Sequence, residues 1–303
     1  MASMTIRPLE PDRDADDLVV LVRDAVPTAT VNRAAIVSRI SAIPERAGLR
    51  IWIAEANGEA IGRADAFLNF FSKGSRTCFV GVTVRSDHRR RGIASELYEL
   101  CLAHAAELGA EGLITNFYEN PAGVAFALAK GWREVRTETE SILDPRTVTE
   151  AVPADVDLRP VAEVDPRLVW RVDAEATLDV PQTETADDIP YDEWEEHVLR
   201  YPMFEPYGSF VAVVDGVVAA TSLLVADRES GRATNMFTGT LREYRGRGLA
   251  RAVKLATTHW AAANGITQIA TTNDETNAPM LAVNRRLGYQ AGGRRVEYLR
   301  DNL

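Results

Sequence analysis

Two short arginine-glycine turns carry the residue types best suited to hold an anion, and each runs into a stretch with helical spacing. The first consists of Arg89, Arg90, Arg91, Gly92, Ile93 and Ala94, and the second of Arg245, Gly246, Arg247, Gly248, Leu249 and Ala250. A glycine before a helix lets backbone N–H groups approach an anion, and the first N–H groups of a helix have no partner inside it. Arginine adds charge-assisted donors. Each turn therefore predicts a phosphate site at a helix N-terminus.

Composition limits the possible partners. The chain has 303 residues and a formal charge of -10, which argues against nucleic acid or an anionic membrane as the main partner. Two cysteines are too few for a disulfide framework, and four scattered histidines show no metal-ligand spacing. The N-terminus lacks the apolar core of a signal peptide, and no long apolar run follows. These features predict a cytoplasmic protein without a metal, either a monomer or a homodimer.

The order of elements occurs twice along the chain. A short strand, two helices and three antiparallel strands precede each turn, and helix, strand, helix and strand follow it. Asn57-Gly58 and Asp215-Gly216 occupy the same place as hairpin turns in the two copies, at an offset of about 155 residues. The proline-containing stretch 144–153 is the best linker. We predict two repeated domains, residues 1–147 and 148–303.

The order within each copy predicts an α/β fold. The helix after the third long strand should make a right-handed crossover, which gives a mixed, mostly antiparallel sheet flanked by helices. A ligand crevice is expected where neighbouring strands diverge beside the turn.

At this level the chain resembles the GCN5-related N-acetyltransferase (GNAT) family, in a tandem form similar to mycothiol synthase-like acyltransferases. The family signature, Arg/Gln-x-x-Gly-x-Gly/Ala, is matched by both turns. The family often also has an asparagine that opens a helix, and this helix ends in a glycine followed by an aromatic residue. Both copies match this pattern, Asn120 with Gly131-Trp132 and Asn277 with Gly288-Tyr289.

The resemblance implies an acyl-CoA site, with acetyl-CoA or another acyl-CoA as donor. The two turns would hold the pyrophosphate, and pantetheine would pair with the preceding strand. The strand residues implied are Val82, Thr83 and Val84 in the first copy, and Thr238, Gly239 and Thr240 in the second. Asn120 and Asn277 would bind the pantetheine arm, although a helix cap explains each asparagine equally well.

The resemblance also identifies a missing acid. Many family members carry a tyrosine at the place of Ala127 and Asn284 that protonates the thiolate. Because Asn284 can still donate a hydrogen bond to sulfur, the second copy is the better candidate for catalysis. Glu175 and Asp179 are its candidate bases, with Tyr191 and Tyr289 as candidate proton partners. Taken singly, each acid is more readily explained as a surface carboxylate, and each tyrosine as a half-buried aromatic residue.

Three functions are compatible with these residues. The first is an acyl-CoA-dependent N-acyltransferase that moves an acyl group to a primary amine of a small molecule in a ternary complex. The second uses the first copy as active site, or an acyl group on a carrier protein as donor. The third is a CoA-binding sensor or scaffold without turnover.

Overall fold

The computed structural model describes residues 4–70, 74–181, 183 and 189–302. The chain forms two compact units. Unit 1 comprises Met1–Thr137, Thr183–Asp187 and Arg294–Leu303, and unit 2 comprises Glu138–Gln182 and Asp188–Gly293.

The elements follow the predicted order in both copies. The first copy contains β1 Thr5–Pro8, α1 Pro11–Ala25, α2 Arg33–Ser41, β2 Arg50–Ala56, β3 Glu59–Leu68, β4 Thr77–Val84, α3 Ile93–Glu107, β5 Gly112–Tyr118, α4 Pro121–Ala129 and β6 Arg133–Leu143. The second contains β7 Asp157–Pro160, α5 Pro166–Thr177, α6 Tyr191–Trp194, β8 Phe210–Val214, β9 Val217–Asp227, β10 Arg232–Thr240, α7 Leu249–Ala263, β11 Gln268–Asp274, α8 Ala278–Arg286 and β12 Gln290–Arg300. A π-helical segment, Glu195–Leu199, continues α6. Asn57-Gly58 and Asp215-Gly216 join β2 to β3 and β8 to β9 with positive φ at both residues, as the hairpin prediction requires.

Each unit has a mixed, mostly antiparallel sheet flanked by helices, which confirms the predicted fold class. In unit 1 the order β1-β2-β3-β4-β5 is antiparallel except for the parallel pair β4–β5. In unit 2 the order β7-β8-β9-β10-β11 repeats this arrangement, with β10–β11 as the parallel pair.

The last strand of each sequence copy pairs with a strand of the other copy. In unit 1, Arg295–Arg300 of β12 pairs antiparallel with β5, and in unit 2, Glu138–Leu143 of β6 pairs antiparallel with β11. Tyr298 is buried in the core of unit 1, where its ring stacks on Phe117 at 5.1 Å between centroids. The compact units therefore differ from the two sequence repeats by these exchanged ends, and the boundary between residues 147 and 148 stays a prediction.

A buried ion pair fixes α1 against the first strand of unit 1. Asp14 is fully buried, and its two carboxylate oxygens accept hydrogen bonds from the guanidinium of Arg7 at 2.7 Å each. The backbone N–H of Glu10 donates to the same carboxylate at 2.9 Å. The hydrogen bonds from Arg7 hold the pKa of Asp14 below its usual range.

We expect Asp14→Ala to lower the free energy of unfolding by about 2 kcal/mol at neutral pH, because it removes the buried partner of Arg7 and leaves Glu55, at 2.8 Å, as the closest carboxylate of that guanidinium. The folded-state pKa of Asp14 lies below the unfolded value, so this stabilisation is present above about pH 4 and is lost as the pH falls through the folded-state pKa. Chemical denaturation from pH 7 to pH 3 measures both effects. Asp16→Ala is the control, because Asp16 pairs with Arg33 in solvent and its loss should cost less than about 1 kcal/mol.

Candidate functional site

The first arginine-glycine turn joins β4 to α3 in unit 1. Gly92 directly precedes α3 with φ +88°, and no side chain of the described residues caps this helix. Arg90 also has a positive φ, of +64°. A Cβ at Gly92 would meet no heavy atom within 4 Å, so the space in front of the helix is open. The first N–H groups of α3 are therefore accessible to an anion, and anion binding at this turn stays a prediction.

The second turn has the same geometry in unit 2. Gly246 and Gly248 have φ values of +77° and +76°, and Gly248 precedes α7 without a side-chain cap from the described residues. Arg245 Nε donates to the carbonyl of Thr240 at 3.2 Å, just as Arg89 Nε donates to the carbonyl of Val84 at 3.0 Å. In both units the first arginine of the turn thus ties it to the end of the preceding strand.

Glu175 and Asp179, the predicted bases, hold this second turn in place. Glu175 Oε1 accepts the backbone N–H of Arg242 at 2.8 Å. Asp179 accepts hydrogen bonds from Arg242 at 2.7 Å and from Arg245 at 2.5 Å. These two guanidinium groups hold the pKa of Asp179 well below its usual range. A carboxylate with so low a pKa is a weak base, and its contacts favour a positioning role; the catalytic role stays a prediction.

A cavity of about 1110 Å³ lies in unit 1 where β4 and β5 diverge. The two parallel strands pair only at Thr77–Phe79 and Gly112–Ile114. Beyond these residues, the facing edges of β4 and β5 separate around the cavity. The predicted donor-binding residues that line it are Val82, Thr83, Val84, Arg89, Arg90, Gly92, Ile93, Ala94 and Asn120.

The corresponding place in unit 2 is occupied by buried polar side chains. β10 and β11 pair only at Arg232–Thr234 and Gln268–Ala270, and β10 has a bulge between Asn235 and Phe237. Just beyond the pairing, Thr271 Oγ1 donates to the backbone carbonyl of Asn235 at 3.1 Å, and Lys254 Nζ donates to Asn235 Oδ1 at 2.9 Å.

Thr238 also donates to Asn235 Oδ1, at 2.8 Å, and Gly239 packs against Ala176 of α5. The positions in unit 1 that correspond to Asn235, Lys254 and Thr271 are occupied by Val80, Tyr98 and Thr115. These three residues line the cavity. Side-chain bridges thus span the strands of unit 2 where the strands of unit 1 enclose a cavity.

Both predicted asparagines cap helices. Asn120 Oδ1 accepts the N–H of Gly123 at 2.8 Å and Nδ2 donates to the carbonyl of Tyr118 at 3.1 Å. Asn277 Oδ1 accepts the N–H of Met280 at 3.2 Å. Asn120 also lines the cavity of unit 1, so its position serves both interpretations. Contact of either asparagine with pantetheine stays a prediction.

The residues at the place of the absent tyrosine differ between the units. Ala127 lines the cavity of unit 1. Asn284 is buried in unit 2, where Nδ2 donates to Asn273 Oδ1 at 2.7 Å and Oδ1 accepts no hydrogen bond from the described residues. Tyr289 is also buried, which raises its pKa, and the ammonium of Lys254 lies 4.9 Å from the centre of its ring. Asn284 therefore already uses one of its two amide N–H donors within the protein. Catalytic roles for Asn284 and Tyr289 stay predictions.

Sequence reasoning missed three charged side chains. Arg63 and Asp65 on β3 line the cavity of unit 1 and are hydrogen-bonded to each other. Their alternation with small residues in 60–66 places both on one face of β3, a signal the sequence did contain. In unit 2, Asp173 accepts hydrogen bonds from Trp194 at 2.7 Å and Thr177 at 3.0 Å, and burial raises its pKa to about 6.

Comparison with known proteins identifies the family. The model of the acetyltransferase (GNAT) family matches residues 26–132 and 174–289, so both copies match and the chain belongs to this family of acetyltransferases. Comparison with curated protein sequences gives no match.

Two solved structures show the same tandem architecture. The tandem GNAT protein of the clavulanic acid biosynthesis pathway, solved without acetyl-CoA, has 23% identity and a TM-score of 0.75 over 98% of each chain. A GCN5-related N-acetyltransferase from Sphaerobacter thermophilus has 18% identity and a TM-score of 0.72 over 99% of this chain and 97% of its own. These likenesses extend to the fold, and the similarity to mycothiol synthase-like enzymes stays a prediction.

Two features are absent from the part of the chain that the structure describes. Among these residues, no helix is both long and apolar enough to cross a membrane. Nor do the described histidine, cysteine, aspartate and glutamate side chains form a group of three that could hold a metal ion.

Proposed function

We propose that this chain is an acyl-CoA-dependent N-acyltransferase, with acetyl-CoA as the first donor to test and a primary amine of a small molecule as acceptor. The cavity of unit 1 is the proposed donor site, which was the second of the sequence hypotheses. One observation carries the proposal: the cavity runs from the open N-terminus of α3 to the separated edges of β4 and β5.

The charges along the cavity give the donor a direction. His88, Arg89 and Arg90 lie at the turn, beside the free N–H groups of α3, and this basic end suits the phosphates of CoA. Beyond Phe79, the backbone of β4 faces the cavity, because its pairing with β5 has ended. An extended pantetheine arm can pair with this edge as an added strand would.

The chemistry proposed is direct transfer in a ternary complex. The neutral amine attacks the thioester carbonyl, the carbon–sulfur bond breaks, and CoA leaves as a thiolate that takes up a proton. Since Ala127 occupies the place of the family's tyrosine in unit 1, the proton for sulfur comes from another donor or from water.

Acetyl-CoA binding by calorimetry, paired with a free-thiol assay over a panel of amines, tests this function. We expect binding of acetyl-CoA and thiol release that depends on the amine. Binding without thiol release from any amine would favour a sensor or scaffold. If free acetyl-CoA does not bind at all, the proposal is wrong and a carrier-bound donor becomes the leading alternative.

A further inference from the structure

The cavity of unit 1 has an apolar wall on the face of the sheet opposite α3. This wall is built by α1 and the residue that follows it, by α2 and by β2, through Val22, Val26, Ile36, Ile40 and Ile51. Phe67 and Phe79 continue it, with stacked rings 5.2 Å apart. A polar body placed here would lose its hydration without gaining partners, so the wall favours an apolar ligand.

Asp65 stands at the edge of this wall and is the one carboxylate among the described residues that line the cavity. It is only 6% exposed, and Arg63 is the one hydrogen-bond partner of its carboxylate within the described part of the chain. The remaining charged side chains of the lining are basic, namely Arg39, Arg63, His88, Arg89, Arg90 and Arg295. A cationic group that enters the cavity therefore has a single carboxylate to bind.

The carboxylate of Asp65 lies directly against β4. Asp65 pairs with Gly81, and a Cβ built on Gly81 would come within 2.8 Å of both carboxylate oxygens. Glycine at this place thus lets the carboxylate approach the strand edge. Gly81 lies two residues beyond Phe79, the last residue of β4 that pairs with β5.

Gly81 lies on the path expected for the pantetheine arm. Pantetheine that starts at the turn after Val84 and runs back along β4 reaches Gly81 after about 10 Å, at about 3.3 Å per residue. A thioester at the level of Gly81 would place the reacting carbonyl beside Asp65, between the donor groove and the apolar wall.

We infer that the acceptor is an apolar primary amine, whose body packs on the wall formed by α1, α2 and β2 and whose nitrogen is bound and deprotonated by Asp65. This inference rests on the proposed function. The amine enters as an ammonium and gives one proton to Asp65, which passes it to solvent. The nitrogen then forms its bond to the carbonyl carbon, the carbon–sulfur bond breaks, and the second N–H proton neutralises the leaving thiolate. The products are the amide, CoA thiol and one proton.

Asp65→Asn tests the role of the carboxylate. With 2-phenylethylamine as acceptor, we expect kcat/KM to fall at least about 100-fold, since both amine binding and proton removal are lost. Acetyl-CoA affinity should stay within about twofold of wild type, because Asp65 lies outside the phosphate end of the cavity. Asp227→Asn, which removes a buried carboxylate from unit 2, is the matched control and should retain activity.

Ligand binding to the CoA-saturated protein distinguishes the charge of Asp65 from the packing of the apolar wall. Wild type should bind 2-phenylethylamine and its neutral analogue 2-phenylethanol, and Asp65→Asn should lose affinity for the amine alone. A general structural defect would weaken both ligands equally. Stronger binding of 3-phenylpropanoate than of the amine would overturn the inference and assign the site to carboxylates through Arg63.

Gly81→Ala tests the same geometry without removing the charge. The added Cβ displaces the carboxylate of Asp65, so activity toward the amine should fall while acetyl-CoA binding persists. Gly112→Ala is the control, because its Cβ would make an ordinary contact of 3.5 Å. If wild type binds acetyl-CoA but prefers polar amines, or if Asp65→Asn equals wild type, this inference is wrong and the proposed function stands. If acetyl-CoA does not bind, both are wrong.

Discussion

Gly92→Glu is expected to weaken acetyl-CoA binding at least about 100-fold, which corresponds to about 2.7 kcal/mol. The glutamate would place a negative charge and a side chain in front of the first N–H groups of α3, where the proposed site holds the pyrophosphate of CoA. Calorimetry of the variant with acetyl-CoA measures the effect, and the free-thiol assay should lose its signal in parallel.

Backbone strain needs its own control, because Gly92 has a φ of +88° that a glutamate disfavours. Gly58→Glu is matched to it: Gly58 has a φ of +83°, and a Cβ at Gly58, like one at Gly92, would meet no heavy atom within 4 Å. Gly58 lies in the β2–β3 hairpin, so this variant should bear the same strain and still bind acetyl-CoA. Equal losses in both variants would contradict a phosphate site at α3.

Gly248→Glu tests which of the two units holds the donor site. This variant should keep the acetyl-CoA binding of unit 1, because Gly248 precedes α7 in unit 2. If Gly248→Glu alone abolishes acetyl-CoA binding and thiol release, the donor site lies in unit 2, the copy that the sequence favoured for catalysis.

Lys254→Met should strongly change the pH dependence of the free energy of unfolding. Lys254 is 2% exposed, and burial lowers its pKa to about 7 from an ordinary value of 10.5. Between these two values the unfolded state binds more protons than the folded state, so the wild-type free energy of unfolding rises with pH in this window. The shift corresponds to at most about 5 kcal/mol, which the methionine variant should not show.

Chemical denaturation of wild type and Lys254→Met at pH 6, 8 and 10 measures this difference. The stability of the variant relative to wild type should be highest at pH 6 and should fall as the pH rises toward 10. Lys130→Met is the control for a lysine that reaches solvent, with its ammonium 3.0 Å from Glu99. Parallel profiles for wild type and Lys254→Met would show that Lys254 is not buried as the structure has it.

Local sequence patterns determined the repeated elements of this protein and the two anion-binding turns. Asn57-Gly58, Asp215-Gly216, Gly92 and Gly248 all have the positive φ values that their turns require. These features depend on residues close together in the chain, whose conformational preferences act locally. Family membership followed from the same turns, because they carry the signature.

Only the tertiary structure decided which residues meet around each turn. Asp179 could be read as a base from the sequence, but its two arginine partners lie more than sixty residues away, at Arg242 and Arg245. Asp65 became a candidate only when its strand register set it against Gly81. The exchange of β6 and β12 depends on pairing between strands far apart in sequence. Periodicity specifies which face of a strand is buried, whereas the partner of that strand is set by the packing of the whole unit.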